Sequence, residues 1–245
     1  TDLVHRLVDR CSPKVRMTPV MGSKKPGTSI GTKDYFVPFV TQPQCAPDKR
    51  KYFMDETIHM LCIGKYEIRK HHLMLLRVVE RLKEQYRIRL TLVGEATNHF
   101  QKEYCEQVRR YVREHNMEDI VAVKTNVARR DMEKEYLAAD LYVIPSTLEM
   151  ASVSQLEAMS YSLPVIVSDT NGTACYVEDG VTGLWFKDCD EEDLFRKLDD
   201  MLRDRTRMLH MGAAGYRAVA EKYNFETYYD TVMGMRERIL QEHLY

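Results

Sequence analysis

The sequence predicts an α/β domain built on a doubly wound parallel sheet. Three observations carry that expectation. From residue 57 onward, short apolar runs alternate with segments of helical period. The distance from one run to the next leaves room for a crossover helix, which parallel strands require. After Pro47 the only prolines are Pro145 and Pro164, each at the edge of an apolar run, where a missing N–H removes no ladder bond. A sheet covered by helices on both faces explains runs that are apolar throughout rather than alternating.

Before residue 50 the pattern differs. Six of the eight prolines lie within residues 1–47, and residues 21–32 are rich in Gly, Lys, Ser and Pro with no hydrophobic period, so they read as a loop. Residues 4–11 fit a short helix, and 35–40 a strand or connector. The alternation then runs in order. Residues 58–63 are a strand, followed by a helix over 69–86 with Leu75, Val79, Leu82 and Tyr86 on one face. Residues 88–93 are the second strand. Phe100, Tyr104, Val108, Tyr111 and Val112 mark the next helix, and 120–123 the third strand. Met132 and Tyr136 belong to a short helix before the fourth strand, 140–144. Residues 165–167 form a fifth strand and 184–186 a sixth. The last sixty residues read as helices over 191–203, 206–222 and 225–243.

The junction after the fourth strand is where chemistry is expected. Pro145 stops the strand, and Ser152 followed three residues later by Gln155 reads as a capping box opening a helix. A helix N-terminus leaves N–H groups without intrahelical partners and carries about half a positive charge, so it attracts phosphate. Glu149 stands just before those donors and Glu157 on the helix itself, where carboxylates could accept hydroxyl protons from a sugar and a ribose. The plain alternative is an ordinary loop carboxylate at 149 and a second capping box from Ser154 to Glu157. In open α/β sheets ligands sit past the carboxyl ends of the strands. Lys65 and Lys70 follow the first strand, Gly94 the second, Asn126 and Val127 the third, Glu149 the fourth and Asp169 the fifth.

Bulk properties exclude little but point one way. A net charge of -1, with 44% hydrophobic and 30% charged residues, calls for no nucleic acid partner, although the first fifty residues hold nine Lys or Arg against four Asp or Glu. Six scattered cysteines without a Cys-x-x-Cys pair suit reduced thiols in a cytoplasmic location. No basic-then-apolar start and no run of ~18 apolar residues suggests secretion or a membrane span. Adjacent histidines on a helix point in different directions, so His71 and His72 read as a helix-start pair without a metal. Trp185 and the fourteen methionines read as core or surface filler.

The stretch Pro145-Ser-x-x-Glu149-x7-Glu157-Ala-Met159, followed by Leu163-Pro-Val-Ile166, resembles the signature of retaining glycosyltransferases of family 4, whose two-domain architecture is called GT-B. Gly64-Lys65 with Arg69-Lys70, Leu92-Val-Gly94, Tyr136-Leu-Ala-Ala-Asp140 and Asp179-Gly-Val-Thr-Gly183 fall in the order that family shows, and the likeness spans about residues 52–240. The resemblance implies the Rossmann-like C-terminal half, which binds the donor. It implies transfer of a sugar, of hexosyl type, from a nucleoside diphosphate to an acceptor hydroxyl with the anomeric configuration kept, in bacterial-type glycan or polysaccharide synthesis.

By the same resemblance Lys65 and Lys70 would hold the diphosphate, Glu149 the donor sugar, the amides of Ser152, Val153 and Ser154 the distal phosphate, and Glu157 the ribose. Asn126 and Val127 would border the base. The family needs neither cofactor nor metal; its donor here would be a nucleotide sugar, with UDP favoured over GDP and ADP. Residues 1–50 would be the tail of an N-terminal domain and the link to it, 51–222 the nucleotide-sugar domain, and 223–245 a helix crossing back to that N-terminal domain, with Tyr228, Val232, Met235 and Ile239 forming an apolar stripe left exposed where that domain is missing. The half by itself is expected to be inactive. Its acceptor would be a glycan or lipid-linked molecule, and the part outside this chain leaves room for peripheral membrane contact. The chain departs from the family where Met150-Ala151-Ser152 replaces Gly-Phe-Gly and Asn171-Gly172-Thr-Ala-Cys175 replaces Gly-Gly-x-x-Glu. A dinucleotide oxidoreductase is disfavoured because Gly64-Lys-Tyr-Glu67 stands where Gly-x-Gly-x-x-Gly would follow the first strand. A nucleotide-sugar epimerase of the same architecture, or a non-catalytic nucleotide-binding module, remains the alternative.

Overall fold

The computed structural model describes residues 16–19 and 34–243, so the helix expected at 4–11 and the loop at 21–32 lie outside the described residues. Strands β1 (Arg16–Thr18) and β2 (Asp34–Phe36) pair in parallel. The body is a six-stranded sheet of β3 (Ile58–Ile63), β4 (Ile88–Gly94), β5 (Val121–Thr125), β6 (Leu141–Ile144), β7 (Val165–Ser168) and β8 (Gly183–Phe186). Their spatial order is β5-β4-β3-β6-β7-β8, and every neighbouring pair is parallel. The chain thus starts at the centre with β3, adds two strands on one side, then returns to add three on the other. The reversal between β3 and β6 opens a crevice at their carboxyl ends.

Both faces are covered. Met60, Cys62, Leu90 and Leu92 point to one face, where they meet α1 (His72–Leu82), α2 (His99–Glu114) and α5 (Glu191–Leu202) through Leu75, Val79, Val108, Leu194 and Leu198. Leu61, Tyr142 and Ile144 point to the other, packing with α4 (Val153–Ser160) and α6 (Arg205–Lys222) through Leu156, Met159 and Val219. Neighbouring residues of one strand falling into opposite clusters is the period-two alternation of a sheet buried on both sides.

Residues 37–50 run as a strap along the second face. Thr41 donates to the Tyr223 carbonyl, and Gln44 and Cys45 to that of Ser160. The buried Arg50 guanidinium donates to the carbonyls of Tyr136 and Tyr161, at 2.8 and 2.7 Å, and to that of Ala139. These carbonyls belong to the C-terminal ends of α3 (Met132–Ala138) and α4, where a cation offsets the negative end of the peptide dipoles.

Three expectations need correction. The first helix does not begin at residue 69: Ile68–Lys70 make a 3-10 turn, His71 takes a left-handed conformation (φ 51°), and α1 starts at His72. Phe100 does not share the buried face of α2, being 79% exposed; the helix is opened instead by a capping box between Asn98 and Gln101. On the closing helix α7 (Phe225–His243), Tyr228 is exposed but Met235 is buried, so no continuous apolar stripe runs through both, and the side chain of Ile239 is outside those described.

Candidate active site

The crevice between β3 and β6 is floored by backbone and walled by charge. Gly94 ends β4 where an added Cβ would lie 2.3 Å from the Gly64 carbonyl oxygen and 2.7 Å from the Tyr66 ring, so only glycine lets these turns close together. Past that floor lies a cleft of about 390 Å³ bordered by Lys65, Arg69, Lys70, Glu149 and the start of α4, with Asn126 and Val127 at its far side. Lys65, Lys70, Asn126, Val127, Glu149, Ser152, Val153 and Ser154 all line this one cleft. Glu157 does not; it faces an adjoining groove of about 850 Å³ that shares Ile63, Val127 and Met132 with the cleft.

Glu149 is the electrostatic centre. It is 8% exposed, and its Oε2 accepts from both the Lys70 ammonium and Arg69 Nη1, the latter at 2.9 Å. Burial pushes its carboxyl upward, but the hydrogen bond and charge of Lys70, followed by the charge of Arg69, overcome that and hold it below the ordinary carboxylate range. Lys70 is itself 8% exposed, so each partner is the other's compensation. Lys65 is different: its ammonium lies 3.3 Å from Glu95, with both side chains about half-exposed.

The loop carrying Glu149 is pinned from three directions. Thr147 N–H donates to the Arg69 carbonyl, Gly172 N–H donates to the Glu149 carbonyl at 2.7 Å, and Ser168 Oγ donates to the Ser146 carbonyl. Asn171 and Thr173, which stand in the segment where the sequence departs from the pattern it resembles, are buried: Asn171 Oδ1 accepts from Thr173 N–H and from the Thr173 hydroxyl at 2.8 Å, and Gln155 Oε1 lies 3.2 Å from the same hydroxyl.

That network corrects the capping-box expectation. Ser152 is the N-cap of α4, but its side chain makes no cap bond. Gln155 is drawn into the interior, where its amide donates to the Thr173 carbonyl, and Ser152 Oγ meets Ser154 Oγ at 2.9 Å, with Ser154 Oγ in turn 2.7 Å from the Tyr142 hydroxyl. The alternative box also fails, because Glu157 accepts from the Tyr136 hydroxyl at 2.7 Å. By contrast α2, α5 and α6 are capped by Asn98, Asp190 and Asp204. The first turn of α4 thus carries no capping side chain and no acidic residue, and it borders the cleft. Such an N-terminus favours an anion.

Asn126 holds a left-handed turn (φ 54°), its N–H donating to the Gly94 carbonyl and its Oδ1 accepting from Ala96 N–H, which sets Val127 against the cleft. The sequence reading missed Arg69 as a member of the site, although it lay in the quoted motif, and Tyr136, whose hydroxyl orients Glu157 and whose ring stacks on Tyr161 with centroids 5.0 Å apart. Tyr136 also opens a quoted motif, but a buried tyrosine on a helix face reads as core.

The two histidines separate. His72 is fully buried between Tyr66 and Tyr104, neither ring nitrogen has a hydrogen-bond partner, and burial pushes its pKa down to about 3, so it is a neutral core ring. His71 turns outward, with Nε2 3.6 Å from Cys189 Sγ. Among the described residues no helix is long and apolar enough to cross a membrane.

Comparison with known proteins agrees with this arrangement. A family model described as glycosyl transferases group 1 matches residues 47–218, well over half of the chain. The sulfoquinovosyl transferase SQD2 of Arabidopsis thaliana is 29% identical over 167 residues, covering 66% of this chain and 30% of that protein. Among solved structures, HepE from Anabaena in complex with UDP and glucose superposes with a TM-score of 0.74 at 12% identity, covering 97% of this chain and 66% of that one. The C-terminal domain of a glycosyl transferase group 1 family protein, LpcC from Francisella tularensis, gives 0.63 at 20% identity, covering 77% of this chain and 97% of that one. The matched part spans less than half the length of the first curated relatives.

Proposed function

Because this chain belongs to the glycosyl transferases group 1 family, we propose that its crevice seats a nucleoside-diphosphate sugar and supports transfer of the sugar, of hexosyl type, to an acceptor hydroxyl with retention of configuration. One observation carries the reading: three cations, one buried carboxylate and a helix N-terminus without a side-chain cap surround a single cleft at the switch point of the sheet. The charges match the ligand. The diphosphate would lie against the first amides of α4 and the ammonium groups of Lys65 and Lys70, with Arg69 adding to the field. Glu149 would accept from sugar hydroxyls, and Glu157, oriented by Tyr136, from the ribose. Asn126 and Val127 would border the base through backbone groups.

The Lys70–Glu149 pair gives the chemistry its direction. As they stand, the two groups neutralise one another; a donor replaces that contact with lysine on phosphate and carboxylate on sugar. Negative charge grows on the departing diphosphate as the glycosidic bond breaks, so cations already held in place stabilise the transition state more than the ground state. Front-face attack by the acceptor, with the leaving phosphate taking its proton, preserves the anomeric configuration.

Residues 51–222 would form the donor-binding unit, with 1–50 and 223–245 connecting to an N-terminal domain that supplies most of the acceptor contacts. A fold match covering 97% of an isolated C-terminal domain accords with this division. A reducing, cytoplasmic setting suits the five free cysteines among the described residues. The acceptor would be a glycan or lipid-linked molecule, as in polysaccharide synthesis, with any peripheral membrane contact made by the remainder of the protein.

Calorimetric titration with UDP, GDP and ADP tests the reading. One nucleotide, UDP first, should bind at one site per chain, and Glu157→Ala and Lys70→Ala should each weaken it. Equal, weak heats for all three nucleotides, unchanged in both variants, would sink it.

A further inference from the structure

Outside the donor cleft, three ligand-type side chains from distant parts of the chain converge. His71 Nε2 and Cys189 Sγ stand 3.6 Å apart with 118 residues between them in sequence. A carboxylate oxygen of Asp188 completes a set whose ligand atoms all lie within 4.8 Å of one another; among the described residues it is the only such group of three or more His, Cys, Asp or Glu side chains. The spacing has a meaning. A thiolate ~2.3 Å and an imidazole nitrogen ~2.0–2.1 Å from a tetrahedral zinc ion are separated by about 3.6 Å, the edge of the tetrahedron.

The carboxylate supplies a second, independent observation. Asp188 Oδ2 accepts from Thr147 Oγ1 at 2.5 Å, but Oδ1 is shut off from solvent and has no hydrogen-bond partner. A buried carboxylate oxygen without a donor is costly, and a cation is the partner that would relieve it. Thr147 then acts as the outer-shell donor that fixes a ligating carboxylate. One thiolate with one imidazole selects a borderline-soft transition ion and disfavours Mg²⁺ and Ca²⁺, which take oxygen ligands.

We propose that His71, Asp188 and Cys189 form a three-ligand site for a zinc-class divalent cation, with its fourth position open. The ion would staple the turn before α1 to the loop after β8. Through Thr147, whose N–H donates to Arg69, it would also brace the loop that carries Glu149. It would act as a clamp on the rim of the cleft and take no part in sugar transfer. The competing account is a bare S–H···N hydrogen bond between Cys189 and His71.

The test is made without nucleotide, so its outcome is independent of the donor reading. The chain is dialysed against a chelator and titrated with Zn²⁺ in competition with a chromophoric chelator, and separately with Co²⁺. One Zn²⁺ per chain should bind, and Co²⁺ should give a thiolate-to-cobalt charge-transfer band with intense tetrahedral visible bands. Cys189→Ser should abolish the charge-transfer band, and Cys189→Ser and Asp188→Asn should each weaken Zn²⁺ binding at least ~10-fold. Cys45→Ser should change neither. Far-ultraviolet circular dichroism of the metal-free variants checks that they fold; should Cys189→Ser fail to fold, the Co²⁺ spectrum of the unaltered chain and Asp188→Asn decide the matter. Absence of stoichiometric Zn²⁺, a cobalt complex without a thiolate band, or undiminished binding in a folded Cys189→Ser variant each overturns the proposal.

Discussion

If Lys70 and Glu149 do no more than stabilise one another, removing both charges together should leave a stable chain that still binds nucleotide. If they also seat the donor, stability and binding should part company. Lys70 and Glu149 are each 8% exposed and share one contact through Glu149 Oε2. Stripping one partner from a buried pair costs ~3–5 kcal/mol when the other charge is left alone. Lys70→Met leaves Glu149 with Arg69, whose side chain is 43% exposed, so about 1–2 kcal/mol is expected. Glu149→Gln leaves a buried ammonium facing an amide oxygen, and about 2–3 kcal/mol is expected because the amide oxygen still accepts from it. The double variant removes both charges at nearly constant volume and should lie within about 1 kcal/mol of the parent, a coupling of at least about 2 kcal/mol. Urea unfolding at neutral pH, followed by fluorescence of the single tryptophan, Trp185, measures all four corners. The same four proteins are titrated with UDP, where loss of the charge-assisted phosphate contact should weaken binding about 10- to 100-fold in the stable double variant. Additive single effects would refute the buried-pair argument, and UDP affinity kept within about twofold in the double variant would refute the donor-site argument.

Gly172→Ala would put a methyl group 2.2 Å from the Met150 carbonyl oxygen and disturb the bond from Gly172 N–H to Glu149, so about 2 kcal/mol or more of stability should be lost along with nucleotide affinity, by thermal melt and calorimetry. The acid limb of the stability curve should report Glu149: its folded value lies below its unfolded one, so its contribution is complete above the ordinary carboxylate value of 4.5 and is lost as pH falls through the lower folded value. Urea midpoints measured from pH 6 down to pH 3, a range set by ordinary carboxylate values of ~4, should show a shallower decline in Glu149→Gln than in the parent; parallel curves would count against it. Tyr136→Phe removes the 2.7 Å donor to Glu157 and should cost about 1 kcal/mol of stability, with a fall in affinity for UDP larger than that for inorganic pyrophosphate, which has no ribose.

The sheet was legible because burial on both faces writes itself into composition: β3 was read to its ends, and the other five strands of the large sheet within a residue or two. Helix starts were read less well. Ser152 and Gln155 have the spacing of a capping box, yet Thr173, distant in sequence, offers Gln155 a better partner in the interior. Asn98 and Gln101, which do form the box, flank Phe100, whose apolar character suggests a buried face that it does not occupy. Of the site, Lys70, Glu149 and the start of α4 were named from the motif, while Arg69 and Tyr136 needed the fold.

The sequence by itself determined the alternation of strands and helices and the places where the strands end, since both follow from local period and from the chemistry of proline, glycine and serine. It also put cations and carboxylates at those ends. Only the tertiary structure decided how they pair: that Lys70 and Arg69 share one oxygen of Glu149 while Lys65 turns to Glu95, that Glu157 answers to Tyr136, and that His71 meets Cys189 across 118 residues. Charge and hydrogen-bond pairing act over a few ångströms of space, and the crossover connections of a parallel sheet separate those ångströms by scores of residues.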